Sequence, residues 1–158
     1  MPDPKERLQR LLLFGAVYFV EGAVLTYFTA FNVIYLRSFD LSFSLIGIVG
    51  GILLIPFVLK IFLGLLSDRV NLFKLGHRKP YILLGLALQS LAFLLIPWVS
   101  PVSQFNLFLT LMILAALGMS TYDTATDGFS IDTTPQEDRG LVQGIMVEGR
   151  ALSAVVVA

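Results

Sequence analysis

The sequence predicts an all-α membrane protein whose helices cross the bilayer as a bundle. Of its 158 residues, 56% are apolar and only 14% are charged, whereas a soluble domain is roughly 45 to 50% apolar and about 25% charged. The apolar residues also occur in runs of about 20 or more, which is the length that an α-helix needs to cross the hydrocarbon core. Composition and run length together indicate a chain that folds in lipid.

Five such runs follow one another along the chain. An N-terminal segment, 1–10, precedes them, and residues 11–158 are expected to form a partial transmembrane domain. The fifth run is still apolar where the sequence stops, so we expect four transmembrane helices plus a truncated fifth, the first half of a longer bundle. The predicted helices cover 11–36, 41–66, 81–99, 105–131 and 141–158.

Ionisable side chains are scarce within these spans, and their positions are informative. The first span holds one acid, the second one lysine, and the third no charge, while the fourth and fifth hold two each. A charge at the centre of a bilayer costs at least about 2.5 to 3.5 kcal/mol, so such residues usually face a bundle interior or a wet cavity. The six residues are Glu21, Lys60, Asp123, Asp127, Glu148 and Arg150.

Basic residues between the spans predict the orientation of the chain. Eight of them lie on the N-terminal side of the membrane, and Arg37 is alone on the other side. Because Lys and Arg accumulate in cytoplasmic loops, we expect a cytoplasmic N-terminus in a multi-pass protein of the cell (inner) membrane. The eight residues are Lys5, Arg7, Arg10, Arg69, Lys74, Arg78, Lys79 and Arg139.

Overall charge and cysteine content exclude several classes of function. Lys plus Arg and Asp plus Glu are 11 each, so no basic excess points to nucleic acid. The chain has no cysteine, which excludes disulfides, thiol catalysis and thiolate metal sites within it. The expected partners are the lipid bilayer, a small solute with a proton or cation, and the missing C-terminal half of the same chain.

Polar residues in the first span share one helical face. Glu21 and Asn32 fall on a stripe of residues that recur at steps of four and three. A buried acid and an amide on one face predict the wall of a cavity, and ordinary aromatic packing is the alternative. The stripe consists of Phe14, Tyr18, Glu21, Leu25, Phe28, Asn32 and Tyr35.

A second polar stripe lies on the fourth span, where Ser120, Asp123, Asp127 and Ser130 share a face. Two carboxylates one turn apart repel each other unless a cation or a proton lies between them. Either Lys60 or Arg150 could supply the cation. Alternatively, one carboxyl group stays protonated, because burial away from water disfavours its charged form. Structural pairing of charges is the competing interpretation of this stripe.

The loop between the second and third spans carries the most specific pattern. It reads GLLSDR at 64–69 and GHRKPY at 76–81. This pattern resembles the signature that the major facilitator superfamily places between its second and third helices. The resemblance implies a cytoplasmic gate that latches the two halves of the transporter and is released as the protein changes state. The implied gate residues are Gly64, Asp68, Arg69, Gly76, Arg78 and Lys79.

Further stretches resemble particular branches of this superfamily. Segment 56–60, with Gly64 and Asp68, resembles the folate-biopterin transporters and the muropeptide and acetyl-coenzyme A permeases, as does segment 18–22, in which Glu21 stands where glutamine is more usual. The passage from the fourth into the fifth span is similar to theirs. The glycoside-cation symporters, which share the long loop between Asp68 and Gly76, are the alternative branch.

The resemblance implies a secondary active transporter that moves a small polar or anionic organic solute by alternating access, with coupling to a proton or a cation. The candidate residues for the solute and the coupling ion are Glu21, Asn32, Lys60, Asp123, Asp127 and Arg150.

Two other classes of protein stay open at this point. Asp123, Asp127 and Asp132 are similar to the aspartate-rich motifs with which membrane-embedded prenyltransferases hold magnesium diphosphate, and oxygen ligands suit that metal. Such enzymes need a second aspartate-rich cluster, which this sequence lacks. A non-transporting protein of the same fold is the other alternative, because fold does not fix function. We therefore expect a transporter with no catalytic residue, no cofactor and no metal site.

Overall fold

The computed structural model describes residues 4–74 and 76–157, and within them it contains helices and loops but no strand. This confirms the prediction of an all-α protein. Residues 1–3 of the predicted N-terminal segment and residue 158 of the fifth predicted span lie outside the described residues.

Five helices in the described part of the chain are long and apolar enough to cross a membrane. Because lipid offers no hydrogen-bond partners to the backbone, a long apolar run satisfies its own N–H and C=O groups as a helix. The bounds are helix 1, Pro4–Arg37; helix 2, Phe43–Arg69; helix 3, Lys79–Trp98; helix 4, Phe105–Thr133; and helix 5, Gln136–Val157.

Helix 1 changes its winding in the middle. It is α-helical over Pro4–Thr26, a π-helix over Tyr27–Phe31, and α-helical again over Asn32–Arg37. A π-helical turn inserts an extra residue and is frequently found at functional sites. Of the predicted site residues, Glu21 precedes this segment in the sequence and Asn32 follows it directly. Both residues are buried.

Helix 2 is interrupted twice around Pro56. It consists of Phe43–Leu53, Ile55–Val58 and Lys60–Arg69, with breaks at Leu54 and Leu59. Proline has no N–H to donate and its ring disturbs the preceding turn, so a break at this position has a direct cause. The last segment begins at Lys60, directly after the break at Leu59.

Helices 3 and 5 each include a short 3₁₀ turn. Helix 3 is α-helical over Lys79–Leu95, with Pro80 in its first turn, and ends in a 3₁₀ turn over Ile96–Trp98. Helix 5 begins with a 3₁₀ turn over Gln136–Asp138 and continues as an α-helix over Arg139–Val157. Helix 4 is a single α-helix of 29 residues.

The chain divides into two compact units, and helices 1 and 4 each contribute to both. The first unit consists of residues 4–28 and 129–157, in which helix 1 packs on helix 5. Its core is formed by Phe14 and Tyr18 of helix 1 with Val142 and Met146 of helix 5. This packing places the buried face of helix 1 against helix 5.

The second unit, Thr29–Gly128, contains helices 2 and 3 and most of helix 4. Helices 3 and 4 approach closely at Gly85 and Gly118, where a Cβ on either glycine would lie 2.7 Å from a backbone oxygen of the other helix. Helix 2 meets helix 4 at Gly64, where a Cβ would lie 3.0 Å from the Thr124 methyl group. Small residues at such crossings let membrane helices pack backbone to backbone.

Candidate functional site

The first unit contains an ion pair between helices 1 and 5. Nη2 of Arg150 donates to Oε1 of Glu21 over 2.6 Å. The Glu21 side chain is only 3% exposed, whereas the Arg150 side chain is 42% exposed. Two residues that the sequence analysis selected separately are therefore joined in one contact.

The backbones of the two helices are also close at this level. A Cβ at Gly22 would lie 2.5 Å from the carbonyl oxygen of Arg150 and would overlap the hydroxyl of Ser153. One turn earlier on helix 1, the ring of Tyr18 lies beneath the Arg150 guanidinium, whose carbon is 5.0 Å from the ring centroid. Helix 1 thus presents both a carboxylate and an aromatic face to the same arginine.

The other polar residue of the helix 1 stripe, Asn32, follows directly after the π-helical segment. Asn32 is 2% exposed, and its Oδ1 has no hydrogen-bond partner among the described residues. A buried amide oxygen without a partner is unfavourable by about 1 to 3 kcal/mol. Asn32 therefore has an acceptor that a polar ligand or a water molecule could satisfy.

The second unit contains an ion pair between helices 2 and 4. Nζ of Lys60 contacts Oδ2 of Asp123, whose side chain is 2% exposed, while the lysine side chain is 34% exposed. Lys60 and Arg150 were the two cations that could neutralise the acids of helix 4. Lys60 pairs with Asp123, whereas Arg150 pairs with Glu21 of helix 1. The break at Leu59 immediately precedes the lysine that makes this contact.

The polar stripe of helix 4 is buried at three of its four positions. Ser120, Asp123 and Ser130 are each no more than 2% exposed, whereas Asp127 is exposed. Ser130 accepts a hydrogen bond from the Gln143 amide over 3.1 Å. The two acids of the stripe are therefore in different environments, although they lie only one turn apart.

The loop between helices 2 and 3 is organised by a charged contact. Nη1 of Arg78 lies 2.7 Å from Oδ1 of Asp68. The same guanidinium covers Gly128 of helix 4, where a Cβ would overlap its Nη1 and Cζ atoms. Asp68 and Arg78, which the predicted gate signature contains, thus contact each other, and Arg78 also lies against helix 4.

Other members of the predicted gate have distinct positions. Gly76 has a φ of +96°, a conformation that L side chains rarely adopt, and its N–H donates to Oδ1 of Asn71 over 3.2 Å. Gly64 lies at the close approach of helix 2 to Thr124. Arg69 and Lys79 are exposed.

Tyr81 fastens the start of helix 3 to the end of helix 2. Its hydroxyl lies 3.2 Å from the Leu66 carbonyl oxygen and 3.1 Å from that of Val70, and it donates to these two acceptors. These bonds fix the two ends of the loop that carries Asp68 and Arg78.

Two polar features of the structure were not predicted from the sequence. Arg7, which contributed only to the predicted orientation, forms an ion pair with Asp138 at 2.7 Å, and the Asp138 side chain is 6% exposed. Gln89 of helix 3 is 3% exposed, and its Oε1 lacks a hydrogen-bond partner among the described residues. The position of Asp138 next to Arg139, between helices 4 and 5, was the signal in the sequence that could have indicated its role. For Gln89, the signal was weaker, since it was only a single glutamine in an apolar span.

Comparison with known proteins gives one family. The family model described as Major Facilitator Superfamily matches residues 13–158. No solved structure matches the chain.

Proposed function

The chain belongs to the major facilitator superfamily, and on that premise we propose that it moves a small polar or anionic organic solute by alternating access, with coupling to a proton or a cation. The superfamily consists of secondary transporters and is not an enzyme family. The predictions of a multi-pass membrane transporter and of a non-enzyme are therefore confirmed, and the aspartate-rich enzyme is set aside.

The buried pair of Glu21 with Arg150 is the observation that supports coupling. The Glu21 side chain is 3% exposed, and the Arg150 guanidinium lies 2.6 Å from it; a cation this close favours the charged form of a carboxyl group. Removing the partner of a buried charge costs about 3 to 5 kcal/mol. If Arg150 turns to a solute, Glu21 needs either a proton or another cation, so release of the arginine and uptake of a positive charge are linked.

The exposure of the two ion pairs supports an anionic solute. In both pairs the acid is buried and the cation is partly exposed, at 42% for Arg150 and 34% for Lys60. A ligand that approaches either pair therefore meets positive charge first. Within the second unit, the buried acceptor of Asn32 stays a candidate for binding a donor group of the solute, and the exposed Asp127 is a second candidate for the coupling ion.

The loop between helices 2 and 3 supports the proposed gate. Asp68 and Arg78 already form a contact, and the family signature that they belong to implies a latch that opens and closes. We propose that Gly64, Arg69, Gly76 and Lys79 complete this gate. We also propose that it lies on the cytoplasmic side of the cell membrane together with the N-terminus, as the distribution of basic residues predicts.

The proposed branch is that of the folate-biopterin, muropeptide and acetyl-coenzyme A transporters. Its support is the resemblance of segments 18–22 and 56–60 and of the passage from helix 4 to helix 5. Uptake of a panel of labelled organic anions and neutral glycosides separates this branch from the glycoside-cation symporters, since accumulation of glycosides alone would favour the latter.

Coupling is tested in proteoliposomes that contain the protein expressed from its complete reading frame. With an anion that the panel identifies, Glu21→Gln is expected to abolish uphill uptake driven by a pH gradient while sparing exchange. Glu148→Gln is the matched control, because Glu148 is exposed and lines an apolar groove between helices 1 and 5. Full uphill uptake by Glu21→Gln would reject the coupling role of Glu21.

A further inference from the structure

Arg150 contacts two side chains of helix 1 that lie one turn apart. Its Nη2 donates to Glu21 over 2.6 Å, and its guanidinium carbon lies over the ring of Tyr18, 5.0 Å from the centroid. Residues three apart on a helix share a face, so both contacts come from the same side of helix 1.

The two contacts occupy different parts of the guanidinium. A carboxylate binds the N–H groups, which point outward in the plane of the group, whereas an aromatic ring attracts the positive charge through the flat face. Five N–H donors lie around that plane. An arginine that rests on a ring can therefore still offer an edge with two parallel N–H groups to an anion.

We infer that Tyr18 is a positioning residue that holds the guanidinium of Arg150 when Glu21 releases it, with one edge presented to a carboxylate or phosphate group of the solute. This inference rests on the proposed function, in which Arg150 binds the transported anion. It adds a residue to that site and specifies the solute group as one that accepts two parallel hydrogen bonds.

The surroundings of Tyr18 suit a fixed platform. The residue is 4% exposed and packs in the core with Phe14, Val142 and Met146. The backbone of helix 5 is held at Arg150 by the close approach of Gly22, where a Cβ would lie 2.5 Å from the Arg150 carbonyl oxygen. The Tyr18 ring and the Arg150 backbone are therefore held close together, so the guanidinium can stay over the ring while its N–H contacts are exchanged.

The experiment measures anion binding at Arg150 without transport. Phenylglyoxal modifies arginine side chains, and mass spectrometry of the peptide that contains Arg150 measures the extent of its modification. An anion bound to Arg150 protects it from this modification. Benzoate serves as the carboxylate probe, and the concentration that gives half-maximal protection is determined for the purified full-length protein, with and without Glu21→Gln. The Glu21→Gln protein represents the state in which the carboxylate has released the arginine.

Isosteric variants keep the test independent of folding defects. Tyr18→Phe retains the aromatic face and should change the benzoate concentration for half-maximal protection by no more than about twofold. Phenylalanine analogues with increasing fluorination at position 18 keep the shape while weakening the attraction of the ring face for a cation. These analogues should raise the benzoate concentration for half-maximal protection stepwise, and the most fluorinated analogue should raise it by about tenfold. Tyr18→Leu should give a similar loss.

Three outcomes would overturn the inference. They are protection that does not depend on fluorination, a loss in Tyr18→Phe as large as in Tyr18→Leu, and the absence of benzoate protection in every variant. Failure of the proposed function has a different signature. Uphill uptake that persists in Glu21→Gln, together with graded benzoate protection, would reject the coupling and leave the role of Tyr18 intact.

Discussion

Arg7 and Asp138 form an ion pair of 2.7 Å that ties the beginning of helix 1 to the beginning of helix 5. The pair of Glu21 with Arg150 joins the same helices further along both of them. The polarity is reversed between the two, because helix 1 supplies the base in the first pair and the acid in the second. Two such contacts fix both the register and the direction of helix 1 against helix 5.

The first prediction concerns the stability of this helix pair. Arg7→Ala leaves the Asp138 carboxylate buried with its Oδ1 contact removed, and its Oδ2 already lacks a hydrogen-bond partner among the described residues. Because Arg7 itself is half-exposed, we expect a loss of about 1 to 3 kcal/mol in the free energy of unfolding. Denaturant unfolding of the purified protein in detergent measures it.

The conservative variant Arg7→Lys keeps the positive charge and should lose less than half as much. Arg7→Ala combined with Asp138→Asn should recover part of the loss, because the buried charge is then absent. Strictly additive effects of the two substitutions would show that the contact has no role in stability.

The second prediction concerns the pair of Lys60 with Asp123. Lys60→Met leaves a carboxylate that is 2% exposed without its lysine, and breaking a buried pair in this way costs on the order of 3 kcal/mol. Adding Asp123→Asn removes the buried charge and should restore most of the stability. Thermal unfolding of the single and double variants distinguishes these cases, and equal stability of both would contradict the predicted charge effect.

The third prediction concerns the proposed gate. Asp68→Ala removes the partner of Arg78 and should impair transport while membrane insertion stays intact. Gly128→Ala should have the same effect by another route, because its Cβ would displace the Arg78 guanidinium that lies over Gly128. Uptake in proteoliposomes and the amount of protein in the membrane are the two measurements.

Gly140→Ala is the matched control, since no atom lies within 4 Å of a Cβ at that position. Transport in Asp68→Ala at the wild-type rate would remove the gate assignment. If transport is impaired in Asp68→Ala and not in Gly128→Ala, the role of Asp68 does not depend on the position of the Arg78 guanidinium over Gly128.

The charged residues of the candidate site could be predicted from the sequence, but their contacts could not all be predicted. Glu21, Lys60, Asp123 and Arg150 were selected because charge is costly in a bilayer, and all four take part in ion pairs. Their pairing stayed open because helical periodicity gives the face of a side chain and not the helix that it meets. Asp127 shows the same limit, since it shares a stripe with the buried Asp123 and is exposed.

The local backbone geometry of helices 1 and 2 could not be predicted from the sequence pattern either. The sequence predicted spans over 11–36 and 41–66 and gave no detail of their winding, whereas the structure contains a π-helix at Tyr27–Phe31 and breaks at Leu54 and Leu59. Pro56 was an available signal for the two breaks, but nothing in 27–31 marks a change of winding. Such changes depend on the packing around a helix as well as on its own residues.

The sequence by itself determined that this protein is a set of membrane helices, because an apolar run of that length can satisfy its backbone in lipid only by coiling. It also indicated the family, through the resemblance of one loop to the signature of the major facilitator superfamily, and the match of the family model over residues 13–158 shows that family. Only the tertiary structure decided that Arg150 meets Glu21 over the ring of Tyr18, that Lys60 meets Asp123, and that Arg78 covers Gly128. These contacts join residues that are distant in the chain, and they are set by which helices approach closely enough for side chains to meet.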